Sequence, residues 1–306
     1  MEWIKMGWGK DFSQEFDPKK PFRFDCSNAI ISNRPVLDIA TDAIKRITEK
    51  YPPPYTLLCT GGIDSQAMAY CWMNSGVPFD IVSITYNRDL NDYDLGELYR
   101  FSEKFNLTVK SIDFDMIDFL ENRLSDYQHK YQCISPQITA YMAMSELVVD
   151  GTVLFSGNYI TPYNCFLDYT VLGLYRYAMA TKRNLIPFFF QHDAELAPAF
   201  IPIMQQPGVI NKRKSDPSLY KTYEDKIKIY HAAGIPVIYQ LNKFSGFEKL
   251  KEIYDHKQHL ISNDDKVEFA SVGSFSKRVF DIEFRYKAMR RIKYIEPLEY
   301  IFGVNA

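Results

Sequence analysis

The chain has 306 residues, 36 Lys and Arg against 38 Asp and Glu for a net charge of −2, and 46% hydrophobic residues. These are the values of an ordinary globular protein, one large domain or two small ones, and they exclude a disordered, collagen-like or coiled-coil chain. The near-neutral balance argues against gripping a long nucleic acid by charge alone, and no run of about 18 apolar residues announces a membrane helix.

Five isolated cysteines, at 26, 59, 71, 133 and 165, form no C-x-x-C pair. With no signal-peptide pattern at the N-terminus, they imply a reduced, cytoplasmic chain. In chain order, the first 25 or so residues read as an irregular lead-in. A helix follows Pro35, with Val36, Leu37, Ala40, Ala43, Ile44 and Ile47 on one face, and Tyr51-Pro52-Pro53-Pro54-Tyr55 ends it. An alternation then begins. Thr56–Cys59 reads as a strand, 63–74 as a helix stopped by Ser75-Gly76, and Asp80–Tyr86 as a second strand. Helix 95–105, strand 108–114, helices 116–127 and 135–148, and strand 152–155 follow. Strands alternating with helices imply crossovers and a parallel sheet, whose ligands lie beyond the carboxyl ends of the strands. Past residue 160 helical patterns dominate, with 184–190 an exception. Asp216 and Pro217 mark the start of a helix carrying Ile227, Tyr230 and Ala233 and ended by Gly234. The expected organisation is 1–54 as a preamble, 55–160 as an α/β core and 161–306 as a mostly helical part packed with the core as one unit.

Thr60-Gly61-Gly62-Ile63-Asp64-Ser65 is the most informative stretch. It joins a strand to a helix at the strand's carboxyl end. Two glycines let the backbone turn tightly and approach a ligand, the helix N-terminus favours an anion, and Thr60 and Ser65 add hydroxyls. A carboxylate in a phosphate site makes sense as a Mg²⁺ ligand, which assigns Asp64 to the metal. The loop is not a Walker loop.

Thr60 to Ser65 resembles the S-G-G-x-D-S signature of the PP-loop (N-type) ATP pyrophosphatases. The resemblance covers 55–160 and replaces the first serine by a threonine. It implies a parallel sheet of the HUP, or adenine nucleotide alpha hydrolase-like, type with flanking helices. It also implies ATP and Mg²⁺ as cofactors, and cleavage of ATP to pyrophosphate with AMP left on a substrate oxygen. Among these enzymes the chain is most similar to the synthetase domain of asparagine synthetase and β-lactam synthetase. The stretch Lys226 to Pro236 followed by Asn242-Lys243-Phe244-Ser245-Gly246-Phe247 resembles the end of that domain, which nominates Lys243 as the lysine that reaches the phosphates. Pro187 to Asp193 weakly resembles a further segment of it. The adenine positions implied are Ile84, Thr85 and Tyr86, whose backbone groups would read the base edge. Tyr86 itself either packs beside the base or is a core aromatic.

The pattern departs from that family after the fourth strand. Its acidic motif is replaced by Phe155-Ser156-Gly157-Asn158-Tyr159, which leaves Gly157 and Asn158 as the candidates there and Asp168 as a more distant acid. With 54 residues before the core, an amide-splitting domain is not expected ahead of it. The amine is expected from solution, from a separate ammonia-supplying protein or from the substrate. His256-x-x-His259 reads better as a solvated helical face than as a metal site. The basic, aromatic segment 285–294 reads better as an exposed face than as an RNA surface. The expected function is an ATP-dependent, AMP-forming ligase acting on small-molecule carboxylate and amine substrates. Asp64, Ser65 and Lys243 would be the catalytic residues, and Thr60, Gly61, Gly62, Ile84, Thr85, Tyr86, Gly157 and Asn158 would bind the nucleotide. Nucleic acid is not favoured and no membrane partner is expected. Two alternatives stand beside it: a nucleobase- or tRNA-modifying enzyme, with Cys133 or Cys165 as nucleophile, and a non-catalytic adenine nucleotide-binding protein.

Overall fold

The computed structural model describes residues 4–17, 20, 22–26, 30–131, 133, 136–159, 169–204, 206–209 and 223–238. Two strands, β1 (Ile4–Trp8) and β2 (Phe22–Cys26), pair antiparallel with Ile4 opposite Cys26 and Trp8 opposite Phe22. The irregular lead-in expected for this region is therefore corrected to a hairpin-like ribbon. Its signal is present in the sequence. Ile4, Met6 and Trp8 alternate with Lys5 and Gly7, and Phe22, Phe24 and Cys26 alternate with Arg23 and Asp25, which is a period of two. Trp8 is buried, with the rings of Phe16 and Phe22 edge-on to it at 5.3 Å each.

The helix after Pro35 is α1 (Val36–Lys50), whose buried face is Val36, Ile39, Ala40, Ala43, Ile44 and Ile47. The α/β core follows as β3 (Tyr55–Leu58), α2 (Ile63–Ser75), β4 (Asp80–Tyr86), α3 (Asp92–Lys104) and β5 (Val109–Phe114). A helical run then comprises α4 (Met116–Asp118), a π-type turn (Phe119–Arg123) and α5 (Leu124–Tyr131), and is followed by α6 (Pro136–Ser145) and β6 (Thr152–Leu154). Later in the chain come α7 (Tyr169–Thr181), β7 (Leu185–Ile186), a 3₁₀ turn (Phe189–Gln191), α8 (Ile201–Met204) and α9 (Tyr223–Ala232). Asp216 and Pro217, expected to start this last helix, lie outside the described residues.

The core sheet is five-stranded and parallel, in the order β5-β4-β3-β6-β7. The parallel α/β sheet with flanking helices that the sequence implies is the observed architecture, with the strands laid outward from β3 in both directions. Its fifth strand, Leu185–Ile186, falls in the 184–190 exception to the helical pattern. β3 is central and all four of its residues are buried. On it packs α2, which is buried nearly all round through Ile63, Ala67, Met68, Ala69, Cys71 and Trp72, with α1 against it outside. Trp72 is fully buried between Tyr55, Phe79 and Phe189. Burying side chains of this size stabilises by about 1.5–3 kcal/mol each.

From β3 the chain winds outward to β4 and β5, then returns past β3 to β6 and β7 on the other side. The connections leaving β3 and β6 thus diverge and open a crevice at the carboxyl edge of the sheet. This is the topological switch point where such sheets bind ligands.

Candidate functional site at the switch point

One wall of the crevice is the loop leaving β3. Cys59 still pairs with the sheet, donating its N–H to Val82 O at 2.9 Å. The chain then turns at Gly61, whose φ of +88° is left-handed and whose absent side chain makes room for α3, because a Cβ there would lie 1.7 Å from Asp94 O. Gly62 differs. It is the N-cap of α2, and a Cβ on it would meet nothing nearer than Thr60 Oγ1 at 3.7 Å, so the space beside it is open. An open cradle at a helix N-terminus fits the phosphate group that the sequence motif implies.

Two side chains tie the loop down. Ser65 is buried and its hydroxyl donates to Gly62 O at 2.8 Å. Its proton is therefore committed to closing the loop. Gln66, fully buried, donates to Gly61 O at 2.9 Å and accepts from the Ile238 N–H at 2.8 Å, linking the loop to the chain after α9. Sequence reasoning missed Gln66, since its partners are a carbonyl and a distant amide.

Asp64, on the first turn of α2, reaches into the crevice. Its Oδ2 accepts from Lys226 Nζ at 2.7 Å and its Oδ1 from the Tyr230 hydroxyl at 2.6 Å. Both donors stand one turn apart on the same face of α9. Lys226 Nζ also donates to Asn158 Oδ1 at 2.7 Å, so one ammonium bridges the loop after β3 and the loop after β6. The ion pair is partly open to solvent, with the Lys226 and Asp64 side chains 18% and 23% exposed. Tyr230 is buried, and burial together with the Asp64 charge holds its phenol well above the usual range. It therefore remains a donor to Asp64. Lys226 Nζ also lies 5.8 Å from the centre of the Tyr159 ring, which stacks on Phe200 and meets Tyr230 edge-on.

The second wall is Phe155 to Tyr159. Gly157 has φ +62°, and a Cβ there would stand 2.2 Å from Phe188 Cδ1. The turn segment 187–193, which follows β7, buttresses this loop. Phe189 and Phe190 donate their N–H groups to Phe155 O and Ser156 O at 2.8 and 3.2 Å, and Gln191 Nε2 donates to Asn158 O at 2.6 Å. Gly157 and Asn158 are thus positioned by Phe188 and Gln191, which the sequence marks only as part of the 187–193 resemblance, with no role at this loop. Lys243 and Asp168, nominated from the sequence, lie outside the described residues, as do His256, His259, Cys165 and the basic segment 285–294. The lysine that the structure does bring to Asp64 is Lys226.

β4 ends on Ile84, Thr85 and Tyr86, the residues the sequence nominates for the base. The backbone groups of Ile84 and Tyr86, expected to read a base edge, already have a partner. Asn91, just ahead of α3 and 3% exposed, donates Nδ2–H to Ile84 O at 2.7 Å and accepts the Tyr86 N–H at 2.8 Å. Thr85 is half-buried between them in the strand, and Tyr86 is a buried aromatic. Nearby, Tyr141 takes a hydrogen bond from Gln137 Nε2 and stacks on Phe155, and burial pushes its phenol up to about 12.

Thiols offer little chemistry here. Cys59, Cys71 and Cys133 are buried, and burial pushes the first up to about 12 and the second higher still. No group of three or more His, Cys, Asp or Glu side chains converges among the described residues. For Mg²⁺ the fit rests on Asp64. A carboxylate offers about four acceptor sites, and Lys226 and Tyr230 use one on each oxygen. That leaves room for an ion completed by phosphate oxygens and water, the usual form of Mg²⁺ with a nucleotide. No helix among the described residues is long and apolar enough to cross a membrane.

No protein-family profile matches the chain, and no curated protein sequence does. The chain is similar in structure to an NH₃-dependent NAD synthetase from Campylobacter jejuni in complex with the nitrate ion, at 14% identity and a TM-score of 0.35, over 89% of this chain and 96% of that one. It is also similar to the U34-tRNA thiolase NcsA from Methanococcus maripaludis, at 11% identity and a TM-score of 0.35, over 88% of this chain and 84% of the other. A third likeness is to the NMN synthetase of Francisella tularensis, at 12% identity and a TM-score of 0.31, over 73% of this chain and 92% of that chain. None of these likenesses is close enough to carry a substrate or a mechanism to this chain.

Proposed function

We propose that the chain is an ATP-using, AMP-forming ligase whose triphosphate site is the crevice between the loops after β3 and β6. One observation carries this reading. A lysine and an aspartate 162 residues apart meet at the mouth of an open Gly-Gly cradle, at the switch point of a parallel sheet.

Each residue then has a defined task. The amides at the start of α2 bind phosphate oxygens, and Gly62 keeps them accessible. Gly61 and Ser65 fix the loop. Asp64 holds Mg²⁺, which supplies charge neutralisation on the phosphates. Among the described residues, Lys226 is the cation that reaches Asp64 beside the cradle. Released from Asp64, its ammonium can follow the charge that develops on the departing pyrophosphate, which is worth most in a partly dry site. Tyr230 keeps the Asp64 carboxylate aimed, and Asn158 holds Lys226 on the far side. Lys243 is a second candidate for the phosphate role, on its resemblance alone. The acceptor is a carboxylate or amide-type oxygen that attacks the α-phosphorus and expels pyrophosphate. An amine then displaces AMP, so a C–N bond forms as the C–O bond to AMP breaks.

The test is product analysis. Incubation with α-labelled ATP, Mg²⁺ and a panel of carboxylates plus ammonia is expected to yield AMP and pyrophosphate. ADP and phosphate would refute the reading. Tight ATP binding with no turnover on any acceptor would favour a non-catalytic nucleotide-binding role instead.

A further inference from the structure

Asn91 is the cap residue of α3, yet it makes no side-chain bond to its own helix. Asparagine at that position ordinarily accepts from an amide in the first turn. Here the carboxamide instead spans two residues of β4. In a parallel strand, alternate residues turn their N–H and C=O to the same side. Val82 O is bonded to Cys59 N, so Ile84 O and the Tyr86 N–H face the same way, into the space beyond the end of β3. The Asn91 carboxamide continues the ladder there with one donor at 2.7 Å and one acceptor at 2.8 Å.

That pairing is chemically specific. An acceptor and a donor on residues two apart match a flat group that presents a donor beside an acceptor. A carboxamide does so, and so does the amino group of a nucleobase beside its ring nitrogen. We propose that Asn91 is the residue that sets access to the base seat: its carboxamide stands in for the base edge when no nucleotide is bound, and the base of ATP must displace it to pair with Ile84 and Tyr86. The proposal rests on the nucleotide reading above. Because the first turn of α3 also abuts Gly61 through Asp94 O, an effect on the phosphate loop must be separated from one on the seat.

The experiment measures binding of ATP, and separately of tripolyphosphate, which has no base, to the full chain with Asn91, N91A and N91D. Removal of the competitor in N91A is expected to tighten ATP about tenfold, or ~1.4 kcal/mol, and to leave tripolyphosphate within about twofold. N91D keeps the size and the bond from Tyr86 but cannot donate to Ile84 O, so a smaller gain is expected. It keeps the proposal open to refutation if N91A does not fold. Unchanged or weaker ATP binding by the folded variants, beside an intact response of the parent protein, overturns the Asn91 proposal and leaves the nucleotide reading standing. An equal gain for tripolyphosphate overturns it too, since the effect would then lie in the loop. Failure of parent and variants alike to bind ATP overturns the nucleotide reading, and the proposal with it.

Discussion

The two loops that wall the crevice are built on different physics. The loop after β3 is held mainly by residues of its own strand–turn–helix: a left-handed glycine closed against α3, a serine bonded to its own turn, and a glutamine bonded to a loop carbonyl. The loop after β6 is held by a distant segment, through Phe188, Phe189, Phe190 and Gln191. The first presents an open cradle and a carboxylate, and the second presents an amide oxygen that takes a lysine from α9. A site assembled in this way has one wall legible in a six-residue motif and another that exists only after folding.

Substitutions can sharpen that contrast, and the largest effect is expected at Gly61. A Cβ there runs into Asp94 O in a backbone conformation that L residues rarely adopt, so Gly61→Ala should lose more than about 3 kcal/mol in urea unfolding. The neighbouring Gly62→Ala has open space and should change stability by less than about 1 kcal/mol, while its methyl group intrudes on the cradle and weakens ATP binding about tenfold. Equal destabilisation by the two would remove the distinction between a structural and a ligand-facing glycine. Next in size, Lys226→Met should lower the rate of pyrophosphate release about 100-fold in a stopped assay, with a near-normal melting temperature. A rate unchanged by this substitution would move the phosphate role to another cation.

A smaller effect singles out the second wall. His192, beside its buttress and edge-on to Tyr51, is held down to about 4 from an ordinary 6.5, chiefly by burial and secondarily by Lys50, against the pull of Asp193. The unfolded chain therefore binds a proton that the folded chain refuses between those values. Stability from this group is complete above about pH 6.5 and is lost as pH falls towards 4, at up to about 1.4 kcal/mol per pH unit. His192→Gln should flatten this part of the stability profile measured by urea unfolding across pH 4 to 7. An unchanged slope would contradict the assignment.

What was legible in the sequence follows the range of each interaction. The strand over 80–86 and the helix from 63 rest on local periodicity and on a glycine stop, and they appear at those residues. Gly61, Gly62 and Asp64 are legible because a phosphate-binding turn between strand and helix calls for those residue types at that spacing. The β1–β2 ribbon was missed although its alternation is visible, since its partners sit some twenty residues apart across a polar connection. Lys226 and Tyr230 stand in the stretch that resembles the end of a synthetase domain, but nothing in it assigns either of them to the site. Their meeting with Asp64 spans 162 and 166 residues, and no local pattern encodes it. Asn91 was overlooked for another reason. A polar residue before a helix reads as a cap, and only the fold shows it bridging a strand edge instead.

The central claim, that the crevice between the two loops receives a nucleoside triphosphate, is tested most directly by a crystal structure of the full chain with ATP and Mg²⁺. Phosphate oxygens are expected at the amides beginning α2, beside Gly62, with Lys226 Nζ moved from Asp64 onto a phosphate. Triphosphate bound elsewhere on the molecule, with the Lys226–Asp64 pair intact, would contradict it.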